Sequence, residues 1–249
     1  MHVILDLWGV LLDSERMNLE YNRRAARILA LRFDGDKERW LRAYDGAWAR
    51  YTRRIGSADW DRKSWLEVVD ELDRSLIIET LEDMGVRWRP PDVLAYSRDL
   101  ESQVASFVAF PFEETQAAVR DLRKAGHKVL VATQVGDWNA KAALSGSGLT
   151  LIVDGLYTGD KLNAHKSRRL FWRRLLDAAS LSSEKCVTVD DQTDCLEAAA
   201  AEGIASVLMD RSGRPPPLKP PSYIKAQIAS LIELLPLVEE KNCRRAANG

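Results

Sequence analysis

The chain has 249 residues, of which 46% are hydrophobic and 29% charged, with 36 Lys+Arg against 37 Asp+Glu. That apolar content, with only 14 Gly and 9 Pro, excludes a disordered or collagen-like chain and is enough to build a buried core. A net charge of -1 excludes a nucleic-acid binder that works by bulk electrostatics, and no apolar run reaches the roughly 18 residues of a membrane span.

The start, Met1 to Asp6, has no basic n-region and no cleavable apolar stretch. Three cysteines (Cys186, Cys195, Cys243) are odd in number and lack metal-ligand spacing, which points to a reducing compartment. A soluble cytoplasmic protein with no membrane or nucleic-acid partner is the expectation.

In chain order, Val3-Ile4-Leu5 predicts a first strand. Residues 14–110 then read as almost all helix, with Trp40, Trp48, Trp60, Trp65 and Trp88 among them. Beyond Phe110-Pro111, short apolar runs at Val129–Ala132, Leu151–Val153, Val187–Val189 and Ala205–Met209 predict strands. Helical patterns lie between them at about 113–125, 138–145, 167–179 and 193–202, with Gly126 and Gly203 where C-caps belong. The proline-rich run Arg214 to Pro221 reads as an extended connector to a last amphipathic helix, Tyr223 to Val238, and Glu239 to Gly249 as a frayed polar tail. Strands alternating with helices mean a doubly wound α/β parallel sheet, Rossmann-like, over 1–13 and 107–249, with an all-helical insertion over 14–106.

In such sheets ligands bind at the carboxyl ends of the strands, at a topological switch point. The polar residues there are Asp6, Thr133, Lys166 before the helix at 167, and the pair Asp190-Asp191. Singly, a strand-end Asp or Thr more often caps a turn. Two adjacent carboxylates repel unless a cation joins them.

Ile4-Leu5-Asp6-Leu7-Trp8-Gly9-Val10-Leu11-Leu12-Asp13-Ser14 resembles the first motif of the haloacid dehalogenase-like (HAD) hydrolase superfamily. Val131-Ala132-Thr133 resembles the second motif, and His165-Lys166-Ser167 with Phe171 beyond resembles the third. The stretch from Val187 to Ala199, with Asp190-Asp191 inside it, resembles the fourth, and all four stand in the family order. The helical insertion has the size of the cap that many members carry between the first two motifs.

This resemblance implies Asp6 as a covalent nucleophile, Thr133 as a hydrogen-bond donor to the transferring group, and Lys166 as a charge neutraliser. It implies Mg²⁺ held by Asp6, Asp190, Asp191 and the backbone carbonyl of Trp8. The amides around Trp8-Gly9-Val10, with Gln134 beside Thr133, would bind a small, anionic phosphorylated substrate. Carboxylate attack on phosphorus needs both charges screened, which a divalent cation and a lysine supply.

Two positions depart from the family pattern. Phosphatases of the superfamily carry a second Asp two residues after the nucleophile, as general acid and then base; here Trp8 stands there, and indole transfers no proton at neutral pH. Losing a general acid/base costs about 10²–10⁴-fold. Acyl phosphates, whose leaving group needs no proton, would suffer least, and an aspartyl-phosphate would accumulate. Cys195 replaces the Asn or Asp usual in the fourth motif. Trp8 therefore leaves three readings: a phosphatase narrowed in substrate, a C–halogen hydrolase of the dehalogenase type, or an impaired member that binds a phospho-ligand or a protein. The dehalogenase branch carries Tyr at this position, uses no metal and has Ser-Ser-Asn where Asp190-Asp191 stand. A phosphonate-cleaving branch would need a Schiff-base Lys; Lys37 and Lys63 have no motif around them.

Trp40, Tyr44 and Trp48 recur every four residues and share a helix face. They predict packing within the helical insertion, or else an aromatic wall for substrate with Arg42, Arg50, Arg53 or Arg54 as anion anchors. Arg168-Arg169 and Arg173-Arg174 read as a solvated helix face, His127 as structural, Cys186 as inert core, Gly146-Ser147-Gly148 as a loop, and His165 as a residue that could lie near the site.

Overall fold

The computed structural model describes residues 1–212 and 221–246. Six strands, β1 (His2–Leu5), β2 (Lys128–Thr133), β3 (Gly155–Thr158), β4 (Cys186–Asp190), β5 (Ala205–Met209) and β6 (Ile224–Ile228), form one parallel sheet in the order β3-β2-β1-β4-β5-β6. The helices are α1 (Ser14–Phe33), α2 (Lys37–Gly56), α3 (Trp65–Asp83), α4 (Val93–Val108), α5 (Thr115–Lys124), α6 (Asp137–Gly146), α7 (Gly159–Leu162), α8 (Arg169–Ala179), α9 (Thr193–Ala200) and α10 (Leu234–Ala246). This is the predicted doubly wound α/β architecture.

The chain winds outward from β1 to β2 and β3, then returns to place β4 on the other side of β1. The switch point thus lies between β1 and β4. There the Asp6 amide donates to the Val189 carbonyl at 3.0 Å, carrying the ladder one residue past β1. Both faces of the sheet are covered, so β1, β2 and β4 are apolar runs rather than alternating ones. Val3, Leu5, Val129, Val131 and Val189 pack on one face, with Ile4, Ala132, Phe171 and Trp172 on the other.

Helices α1 to α4 fall between β1 and β2 in sequence and carry a hydrophobic cluster of their own around Tyr21, Leu29, Trp40, Tyr44, Leu76 and Val104. Asp13 caps α1 by accepting from the Arg16 amide, and Ser64 with Glu67 forms a capping box on α3. Gly126 and Gly203 follow α5 and α9 in the left-handed region, as their C-cap positions require.

Three boundaries differ from the sequence reading. Leu151–Val153 is a turn with Leu151 exposed, and β3 begins only at Gly155. A bare apolar triplet is not enough to fix a strand; the Asp154 carboxylate accepts from the Val129 amide and docks the chain beside β2 only after it. The predicted helix from Tyr223 opens as β6 instead. Ile224, Ala226 and Ile228 fit a period of two as well as a helical spacing, and the open edge of β5 decides between them. The tail read as frayed continues as α10 to Ala246; of the connector from Arg214 to Pro221, all but Pro221 lies outside the described residues, as do residues 247–249. Among the described residues no helix is long and apolar enough to cross a membrane.

Candidate active site

The carboxyl ends of β1, β2 and β4 bring the predicted residues into one small recess lined by Asp6, Trp8, Thr133, Lys166, Asp190 and Cys195, with Gln134 at its edge. Lys166 is its hub. Only 1% exposed, it sends Nζ to Asp6 Oδ1 at 2.6 Å and to Asp190 Oδ2 at 2.7 Å. Its backbone carbonyl accepts from the Trp172 indole at 2.9 Å, which anchors the lysine just ahead of α8. Asp190 also accepts from the Gln192 amide at 2.9 Å, so its carboxylate is held from two sides.

Asp6, Asp190 and Asp191 each offer a carboxylate oxygen within 4.8 Å of the others. Burial, opposed by Lys166 and reinforced by Asp190, pushes the Asp6 carboxyl up to about 7. Burial and the Asp190 charge raise Asp191 to about 6. Lys166 loses by burial but gains more from the two carboxylates, so its ammonium is held above the ordinary lysine range. Three carboxylates against one ammonium leave excess negative charge, and hard oxygen donors at this spacing suit Mg²⁺.

Gly9 explains how Asp191 comes so close. Its φ is +90°, and a Cβ there would lie 2.2 Å from Asp191 Oδ2. Of the amides expected to cradle phosphate, that of Gly9 is already engaged. The Gly9 amide donates to the Leu12 carbonyl at 2.7 Å, Arg211 binds the carbonyls of Gly9 and Val10, and the Val10 side chain is core. The tight turn after β1 thus takes up the Gly9 amide, and Gly9 contributes space rather than a donor.

Trp8 is half-buried, packs against both the sheet core and the helical cluster, and faces the recess. The only carboxylates bordering that recess among the described residues are Asp6 and Asp190. Cys195 is buried with its thiol pushed up by burial, and its Sγ lies 3.9 Å from Gln192 Oε1. Lys166 reaches its partners without it.

The recess opens into a cavity of about 760 Å³ between the sheet and helices α1 to α4. Contacts from the helical segment close over it. The Trp65 indole donates to the Gln134 carbonyl at 2.8 Å, the Leu66 amide donates to Asn163 Oδ1 at 3.0 Å, and Arg168 pairs with Asp61 at 3.1 Å. Trp60 stacks on His165 at 4.3 Å, which places His165 on the cavity wall; burial lowers its imidazole to about 4, so it is neutral.

Of the aromatic stripe, Trp40 and Tyr44 are fully buried in the helical cluster, whereas Trp48 lines the cavity, stacked on Tyr21 and Tyr51. None of the four candidate anion anchors lines it. Arg50 pairs with Glu79 and Asp83, Arg54 pairs with Glu79, and Arg42 and Arg53 face outward. The tandem arginines are structural as well as solvated: Arg169 and Arg173 pair with Glu202, and Arg174 donates to the Leu162 and Asn163 carbonyls. Sequence reasoning missed Asp73, Glu101, Trp138 and Asn139 on the cavity lining. The available signal was an acid in the apolar stripe of a helix, Asp73 between Leu72 and Leu76 and Glu101 beside Leu100 and Val104.

The family model of haloacid dehalogenase-like hydrolases matches residues 1–203, and the chain belongs to that family. It is 27% identical over 148 residues to "Phosphatase MT3486" of Mycobacterium tuberculosis (strain CDC 1551 / Oshkosh), covering 54% of this chain and 68% of that protein. Its fold is shared by the HAD-hydrolase YfnB from Bacillus subtilis bound to magnesium, with a TM-score of 0.63, 13% identity, and 95% and 97% of the two chains covered. It is shared too by the L-2-haloacid dehalogenase from Xanthobacter autotrophicus with chloropropionic acid covalently bound, with a TM-score of 0.60, 16% identity, and 96% and 98% covered.

Proposed function

We propose that this hydrolase is a Mg²⁺-dependent phosphatase that cleaves a small phosphorylated metabolite through a phospho-Asp6 intermediate, with helices α1 to α4 as its cap. The observation that carries this reading is the triad of Asp6, Asp190 and Asp191 around buried Lys166. A metal-free dehalogenase-type site has no use for the second and third of these carboxylates. The family relation to a protein named as a phosphatase supports the same choice.

Asp6, Asp190, Asp191 and the Trp8 carbonyl would hold Mg²⁺, which supplies charge screening for an anionic substrate. Lys166 opposes the burial that favours the neutral form of Asp6 and balances charge on the phosphoryl oxygens. An Asp6 oxygen forms the bond to phosphorus as the bond to the leaving oxygen breaks, and that oxygen departs with the electron pair. The Thr133 hydroxyl donates to a phosphoryl oxygen, and Gln134 borders the group beside it. Water then attacks phosphorus, releasing phosphate and restoring Asp6. Trp8 offers no proton to the leaving oxygen, so acyl and other activated phosphates are favoured. The cap excludes bulk water through the Trp65, Asp61 and Trp60 contacts. Cys195, a buried cysteine outside any disulfide among the described residues, supports placement in the reducing cytoplasm.

Phosphate release from acetyl phosphate and p-nitrophenyl phosphate, with and without Mg²⁺, tests this reading against an Asp6→Asn control. Mg²⁺-dependent turnover lost in Asp6→Asn is expected. Metal-independent halide release from a 2-haloacid, with no phosphate release, would overturn it.

A further inference from the structure

The cavity beyond the recess is built for a positive charge. Its walls include Tyr21, Trp48, Tyr51, Trp65 and Trp138, and its lining includes two buried acids, Asp73 at 0% exposure and Glu101 at 9%. Asp73 Oδ1 accepts from the Tyr51 hydroxyl at 3.4 Å, and Glu101 Oε2 accepts from the Trp138 indole at 2.8 Å. One cation, Arg98, acts on both acids. Its guanidinium is pulled away to Asp70, with which it makes its closest pair, and lies 3.9 Å over the Trp138 ring, leaving Nε 3.5 Å from Asp73 Oδ2. A single guanidinium thus faces three carboxylates. The cation on the lining itself, Arg168, is paired with Asp61.

A second feature points to a ligand. Asn139, 8% exposed and on the same lining, has its Oδ1 buried with no hydrogen-bond partner among the described residues, and Gln134 Oε1 is in the same condition. Buried acceptors left unpaired are costly, and a ligand with N–H donors satisfies them. Aromatic faces add attraction for a cation. A quaternary ammonium would satisfy the rings but not the acceptors.

Resting on the phosphatase reading, we infer that the substrate is a phosphate whose organic part carries a protonated amine, seated between Asp73, Glu101 and Asn139 while its phosphoryl group meets Asp6. The aromatic walls and the lack of a proton donor at Trp8 together favour an aryl or acyl phosphate with the amine at its far end. Burial pushes Glu101 up to about 7 and raises Asp73 well above the carboxylate range, Glu101 reinforcing the latter. Amine binding therefore releases a proton near neutral pH.

The test compares tyramine phosphate with p-propylphenyl phosphate, which replaces the ammonium by a methyl group. Calorimetry measures their binding with Mg²⁺ to Asp6→Asn, and turnover is measured in the unaltered protein. Tyramine phosphate should bind about 10-fold or more tightly than its neutral partner. Adding Glu101→Gln or Asp73→Asn, each isosteric, should erase the preference while the binding of p-propylphenyl phosphate, measured in the same variants, shows that the site is still folded. Equal binding of the two esters, or tighter binding of the neutral one, overturns the ammonium site even if both are hydrolysed. An amine preference that depends on Glu101, without hydrolysis of any phosphate, keeps the site and refutes the phosphatase reading.

Discussion

Replacing Lys166 by Met removes the one ammonium from a buried cluster that otherwise holds Asp6, Asp190 and Asp191. Methionine fills similar volume, so the packing around Phe171 and Trp172 is kept and the change is mainly electrostatic. Breaking a buried pair by removing one partner costs about 3–5 kcal/mol. For a chain of this size each kcal/mol moves Tm by roughly 2–4 °C, so metal-free Lys166→Met should melt roughly 6–20 °C lower at pH 8. The cost depends on pH, because the abandoned carboxylates can take up protons. At pH 5 the deficit should shrink to less than half, since Asp6 and Asp191 already lean to the neutral form. Thermal unfolding of both proteins in a chelator at pH 5 and pH 8 measures this. A deficit of equal size at both pH values, or none at pH 8, would refute the charge argument.

Other outcomes follow from the same geometry. Asp6, Asp191 and Glu101 all have folded values above the ordinary carboxylate range, at about 7, 6 and 7. Their contribution to stability is complete below the unfolded value and is lost as pH rises through the folded ones, so metal-free Tm should fall between about pH 4 and pH 7. Saturating Mg²⁺ should flatten the part due to Asp6 and Asp191 and leave that of Glu101, as a pH series of melting curves would register. Gly9→Ala places a Cβ 2.2 Å from Asp191 Oδ2 at a φ of +90°. It should weaken Mg²⁺ affinity at least about tenfold by calorimetry, because a group that pushes a metal ligand out of place acts on that scale. Trp8→Asp restores a proton carrier and should raise kcat on unactivated monoesters by about 10²-fold while changing acetyl phosphate little; an equal effect on both would contradict the role given to Trp8.

The fold was legible because β1, β2 and β4 are buried on both faces and leave uninterrupted apolar runs, and because glycines mark the ends of α5 and α9. The edges were not. β3 and β6 are short, partly exposed strands whose sequences carry no strong period, so their pairing is decided by neighbours the sequence does not display. Asp6, Thr133, Asp190 and Asp191 stood out because each sits at or just past a strand end, and Lys166 because it stands just ahead of a helix. Gly9 stood out as a residue that permits close approach, but the group that approaches could not be read: its own amide is spent inside the turn, and it leaves room for Asp191. The arginines of α2 look available in sequence, but Arg50 and Arg54 are taken by acids on α3. Asp73 and Glu101 were hidden because only the packing of α3 against α4 turns both toward one cavity.

The most direct test of the central claim is acid quenching of the protein during turnover of acetyl phosphate with Mg²⁺, followed by mass spectrometry of the peptide that contains Asp6. Since Trp8 cannot act as the base for the second step, the intermediate should accumulate, and one phosphoryl group should appear on Asp6 and be absent from Asp6→Asn. Phosphate release that proceeds with Asp6 unmodified, or that survives in Asp6→Asn, would contradict it.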